Sequence, residues 1–141
     1  KAGEWVEEAE RAGAKVLCGG KAEVPCFLPT VLTDVPVACK VSCQEAFAPV
    51  VLVEPYDDLE AAFAKVNGSE YGLQAGIYAK AWKTIARAHE VLEVGGVIVN
   101  DIPTFRADVM PYGGVKASGL GREGPRYAME EFSERRILVL D

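Results

Sequence analysis

Apolar and polar positions along the chain change period several times, and each change marks an element. At the start, Trp5, Ala9 and Ala12 recur at helical spacing with Glu7, Glu8 and Glu10 between them. A helix is predicted over Lys1 to Ala12, ended by Gly13. Ala14 to Cys18 reads as a short strand closed by Gly19-Gly20, and Thr30 to Leu32 as another. Pro25 and Pro29 bracket Cys26-Phe27-Leu28, which makes that segment extended and edge-like. Thr33 to Ser42 contains Pro36 and reads as a loop or short turn.

Further along the pattern is cleaner. Val50 to Val53 is a continuous apolar run of strand length. Asp57 is placed to cap a helix whose stripe is Leu59, Ala62, Phe63 and Val66, with Glu60 completing a capping box and Asn67-Gly68 ending it. Leu73 to Tyr78 is a strand. Trp82, Ile85, Ala86, His89 and Leu92 give a second helical stripe, with His89 as a packing residue at its edge, closed by Gly95-Gly96. Val97 to Val99 is a third apolar strand. Strand, helix, strand, helix, strand predicts an α/β fold built on a parallel sheet with right-handed crossovers. Residues 100 to 116 follow a strand's carboxyl end without periodicity, where ligands of open α/β sheets sit. Pro125 opens a last helix over Tyr127 to Phe132. Ile137 to Leu140 is a strongly β-prone strand that needs a neighbour, either within the domain or in another subunit.

Composition narrows the function. The 141 residues carry a net charge of -6, which argues against a general nucleic-acid or anionic-membrane binder. No apolar run is long enough to span a bilayer, and no leader of the secretory type stands at the start. Cys18, Cys26, Cys39 and Cys43 lack C-x-x-C spacing, and the single His89 lies far from them, which argues against zinc. They read as reduced thiols of a cytoplasmic protein, most of them in the core. The chain opens at Lys1, without Met and inside a helix, and so reads as a piece of something longer.

One stretch carries candidate chemistry, Gln44-Glu45-Ala46-Phe47-Ala48-Pro49-Val50. Side chains two apart on an extended segment share a face, so Glu45 and Phe47 are placed to meet one ligand. A carboxylate accepts hydrogen bonds from two neighbouring hydroxyls, as on a ribose, and a phenyl ring packs against the sugar or the ring it carries. The plainer reading is a buried Phe and a solvated Glu before an ordinary strand. Arg106, beside Phe105 and Asp108, is suited to an anionic group on a substrate, or to a salt bridge within its loop. Gly119, Gly121 and Gly124 match the letters of a phosphate-binding fingerprint but follow no buried strand, and read as backbone turns. Lys116 is expected to pair with a carboxylate or carbonyl of the turn.

Three stretches in order, Gln44 to Val50, Tyr71-Gly72-Leu73, and Pro111-Tyr112-Gly113-Gly114-Val115-Lys116-Ala117-Ser118-Gly119-Leu120-Gly121-Arg122-Glu123-Gly124, together resemble the C-terminal part of the aldehyde dehydrogenase superfamily. The last stretch is the most specific. The resemblance implies an enzyme that oxidises a small-molecule aldehyde to a carboxylate with NAD or NADP. In that family a cysteine attacks the carbonyl, hydride passes to the nicotinamide, and a glutamate activates water. It implies that Glu45 holds the nicotinamide ribose, that Phe47 packs beside it, and that Leu73 lies near nicotinamide and aldehyde. Phe105 falls where the family places an aromatic in its substrate tunnel, and Asn100 to Arg106 resembles members acting on small hydroxy- or oxo-substituted and anionic aldehydes. It implies that residues 1–132 are the end of a catalytic domain and residues 133–141 a terminal oligomerisation strand. Ile137 to Leu140 would join a sheet across subunits of a homo-oligomer and make an isolated piece self-associate.

The departures matter as much. The family's nucleophile lies farther upstream of the glutamate than this chain reaches, and no cysteine here, Cys43 included, has its context. The water-activating glutamate and the Gly-rich cofactor region are not matched either. Gln44 and Ala48 stand where many members have Glu and Gly. The isolated chain is therefore expected to be inactive. The alternative is a non-catalytic assembly module of the same ancestry.

Overall fold

The computed structural model describes residues 1–141, which divide into two compact units, Lys1–Asp57 and Asp58–Asp141. In the first unit, α1 (Ala2–Arg11) is followed by β1 (Lys15–Cys18), β2 (Ala22–Glu23), β3 (Cys26–Phe27), β4 (Thr30–Thr33), α2 (Lys40–Cys43) and β5 (Val50–Leu52). The core gathers Trp5, Val6 and Ala9 of α1 with Leu32, Cys39 and Val41; Val6, Ala9 and Leu32 are fully buried. The buried stripe thus includes Val6, while Ala12, at the helix end, is exposed. β4 is central, antiparallel to β1 and parallel to β5. Thr30, buried within it, accepts from the Gly20 amide (2.8 Å) and donates to the Leu28 carbonyl (2.8 Å), so its hydroxyl is satisfied. The Cys26–Phe27 segment pairs only with β2, an edge arrangement as its flanking prolines predict.

In the second unit come α3 (Leu59–Asn67), β6 (Tyr71–Gly72), β7 (Gln74–Ile77), α4 (Trp82–Val91), β8 (Gly96–Val99), β9 (Val115–Lys116) and α5 (Pro125–Glu131). β7 and β8 form a parallel pair joined by α4, and β6 pairs antiparallel with β9. Asn67 ties the two longer helices together. Its Nδ2 donates to the Val91 carbonyl (2.6 Å), and its Oδ1 accepts from the Glu93 amide (2.9 Å). Arg87 of α4 reaches Glu60 of α3 through two nitrogens and holds that carboxyl below the usual carboxylate range.

The fold is mixed α/β, but the strands do not make one parallel sheet. They form a mixed three-stranded sheet and three two-stranded ones. An apolar run marks a strand but names no neighbour, since pairing partners are distant in sequence. Within the single chain Ile137 to Leu140 pairs with no strand. The four side chains are 90, 83, 77 and 84% exposed, and with no edge beside them they have no ladder to join. Asp58, not Asp57, caps α3, accepting from the Glu60 (3.1 Å) and Ala61 (3.3 Å) amides. On α4 the inward stripe is Thr84, Ile85, Ala88, Val91 and Leu92, leaving Trp82 76% exposed and His89 in solvent. Of the four free thiols only Cys39 is buried, because Cys18 and Cys26 lie on outer strands and Cys43 ends a one-turn helix.

Candidate functional site

The chain leaves α2 extended at Gln44 and is then pulled tight by two γ-turn main-chain bonds, Ala48 N–H to Ala46 O and Val50 N–H to Ala48 O (both 2.8 Å). Burial then alternates. Ala46 and Ala48 are half-buried, with Ala46 packed against the core, whereas Glu45, Phe47 and Pro49 face out. Phe47 is 93% exposed, so it is not the buried ring of the plainer reading. It borders a small hollow of about 60 Å³ with Trp5, Ala46 and Ala48. The Glu45 carboxylate has no hydrogen-bond partner within the chain, which leaves its four lone pairs free for a diol. An acid and an aromatic are thus both left exposed on either side of the packed Ala46. Cys43, next to them, only directs its thiol at the Ala38 carbonyl (3.9 Å).

In the second unit, Leu73 sits between β6 and β7 and is 41% exposed. Its position is set from both sides. The Gly72 amide before it donates to Ser118 Oγ (2.9 Å), and Gln74 after it donates through Nε2 to the Phe105 carbonyl (3.3 Å). Gln74 therefore links Leu73 to the long loop that carries Phe105 and Arg106. That loop begins at Asn100, whose φ of 58° and side-chain bond from the Ala79 amide (2.9 Å) turn the chain at the end of β8. Phe105 and Arg106 are both about half exposed.

Arg106 does make a salt bridge, but with Glu123 and not with Asp108. Its guanidinium also lies over the Tyr112 ring, 4.6 Å from the centroid. Neither partner was singled out from sequence, since pairings 6 and 17 residues apart in an irregular loop leave no periodic trace. The glycine-rich stretch behaves as backbone turns, with Gly119, Gly121 and Gly124 at φ of 141°, 70° and 110°. Arg122 closes the turn by donating to the Gly114 (2.9 Å) and Gly121 (2.7 Å) carbonyls. Leu73, Tyr112, Glu131 and Phe132 help line an open hollow of about 400 Å³ beside it. Lys116 meets its expectation in full, donating to the Asn67 (2.7 Å) and Ser69 (3.1 Å) carbonyls and pairing with Glu93 (2.8 Å). No helix is long and apolar enough to cross a membrane.

Comparison with known proteins gives a consistent result. The aldehyde dehydrogenase family model matches residues 1–138. A 3-sulfolactaldehyde dehydrogenase of Priestia aryabhattai is 50% identical over 138 residues, covering 98% of this chain and 29% of the relative. The crystal structure of aldehyde dehydrogenase 21 from Physcomitrella patens, in complex with the reaction product succinate, superposes with a TM-score of 0.96 at 44% identity, over 99% of this chain and 29% of that one. Glyceraldehyde-3-phosphate dehydrogenase from Methanocaldococcus jannaschii, complexed with NADP, gives a TM-score of 0.87 at 42% identity, over 94% and 28%. The chain thus spans under a third of the length of the relatives it matches.

Proposed function

The chain belongs to the aldehyde dehydrogenase family, and from that membership we propose that it is the C-terminal segment of an NAD(P)-dependent enzyme oxidising a small anionic aldehyde to its carboxylate. The reaction runs through a cysteine thiohemiacetal, with nucleophile and water-activating glutamate supplied outside these residues. NAD or NADP, when bound, accepts the hydride. This chain contributes Glu45 and Phe47 to the nicotinamide ribose, a reading supported by the exposure of both side chains. Leu73 borders the reacting centre, and Phe105 and Arg106 line the substrate's path. Ile137 to Leu140, bare in the single chain, would gain its missing neighbour from another subunit of a homo-oligomer.

The observation that carries the substrate class is Arg106. It is half-exposed, oriented by neighbours, and keeps Nε and Nη1 free of partners within the chain. The relatives support an anion at this end of the substrate, since their names and titles carry a sulfonated aldehyde, succinate and a phosphorylated aldehyde. Arg106→Leu in the full-length enzyme is expected to lower kcat/KM for succinate semialdehyde, relative to butanal, by about thirtyfold. That is the worth of about 2 kcal/mol for a charge-assisted hydrogen bond. Equal losses on both aldehydes would remove Arg106 from substrate recognition. A second expectation concerns the chain by itself. Purified alone, it should reduce no NAD or NADP in the presence of aldehyde, and any turnover would defeat the reading that the nucleophile lies elsewhere.

A further inference from the structure

Arg106 does not stand in its loop unaided. Tyr112 and Glu123 face each other across an isolated antiparallel bridge, in which each residue's amide donates to the other's carbonyl (3.2 and 2.6 Å). Both bonds are main-chain, so the two side chains start from a fixed base. Paired residues of such a bridge project to the same side. The Tyr112 ring takes one face of the guanidinium, and the Glu123 carboxylate takes Nη2 from the edge. A flat cation held by one face and one edge has lost most of its rotational freedom, which otherwise costs free energy when a ligand immobilises it. The contact to Glu123 goes through Nη2 alone, so Nε and Nη1 are left for an incoming anion. This geometry orients the arginine; it does not consume it.

We propose that Tyr112 and Glu123 are positioning residues that preset Arg106 to receive the carboxylate, sulfonate or phosphate end of the aldehyde, and so help set the preference for anionic substrates. The inference rests on the reading of Arg106 given above. Neither residue touches substrate; both act through the guanidinium.

The test uses full-length enzyme and the pair succinate semialdehyde and butanal, equal in chain length and differing in charge. Glu123→Gln and, separately, Tyr112→Leu are expected to lower the ratio of kcat/KM values, anionic over neutral, by about fivefold, the scale of an exposed ion pair. The fall should come from KM for the anionic aldehyde, with kcat for that substrate moved less. Tyr112→Phe, which keeps the ring, should hold the ratio within about twofold of the parent, since the stacked face is retained. Equal losses on both aldehydes would make the pair merely structural and overturn the proposal. A rise in the ratio for Glu123→Gln would overturn it too, because Glu123 would then be a competitor for the arginine. Should Glu123→Gln fail to fold, the Tyr112 pair gives the same reading. Arg106→Leu separates the two levels. If it leaves the ratio unchanged, the substrate reading fails; if it collapses the ratio while the Glu123 and Tyr112 variants do not, only the positioning role fails.

Discussion

Gly95→Ala is expected to destabilise the unit 58–141 by more than about 3 kcal/mol, the severe end of overpacking. A Cβ built at Gly95 would lie 1.7 Å from the Gly113 carbonyl oxygen and 2.9 Å from that of Leu73. Both atoms are backbone, so no rotamer change relieves the clash. Gly95 also donates its amide to the Gly72 carbonyl (3.1 Å), which fixes how closely the strands approach. Relief would require moving either the Gly113 turn or the segment around Leu73. Those two segments carry the glycine-rich motif and one of the candidate cofactor residues. The cost is one of space, and a control separates it from conformational freedom. Gly119 has φ of 141° with nothing near its absent Cβ, so Gly119→Ala carries only backbone strain, about 1–3 kcal/mol. Urea unfolding followed by far-ultraviolet circular dichroism should rank the two variants in that order. A Gly95→Ala protein within about 1 kcal/mol of the parent would mean the close approach is absent in solution.

The comparison of sequence with structure divides along a physical line. Local signals were legible. Helix and strand positions follow from apolar spacing, the edge character of Cys26–Phe27 from its flanking prolines, and the turns at Gly119, Gly121 and Gly124 from residue type. The two-residue repeat of an extended chain suggested that Glu45 and Phe47 share a face, and the structure leaves both exposed. What failed depends on neighbours. Trp82 is the largest apolar residue of its helix and pulls the inferred stripe toward itself, yet the inward face runs through Thr84 and Ala88. Asp57 and Asp58 are equally good caps by composition, and only the entry angle of the chain selects Asp58. Ile137 to Leu140 has β propensity but no partner within the single chain, so its pairing inside the unit does not form. For the same reason Arg106 was recognised as a candidate while Tyr112 and Glu123, which orient it, were not.

Lys116→Met is expected to cost about 1.5 kcal/mol, the low end for hydrogen bonds to a charged group, since water can reach the freed carbonyls. Methionine keeps the length and apolar stem but has no donors. The Lys116 side chain is 24% exposed, and its ammonium meets two carbonyls and one carboxylate. The three contacts are unequal. Glu93 is 61% exposed, so its ion pair is worth less than about 1 kcal/mol, and Glu93→Gln should be nearly silent. The Asn67 and Ser69 carbonyls are the contacts that count, because Asn67 ends α3 and Ser69 leads into β6. Lys116 sits opposite Tyr71 in the β6–β9 pair, and the next pair is Gly72 with Val115. Losing the ammonium therefore frees the register that holds Leu73. Hydrogen exchange reads this directly. In Lys116→Met the amides of Gly72, bound to Ser118 Oγ, and of Ala117, bound to the Glu70 carbonyl, should lose protection, while those of β7 and β8 change little. Unaltered protection at Gly72 would show that the strand pair stands without its lysine, and Leu73 would then owe its position to Gln74 and Ser118.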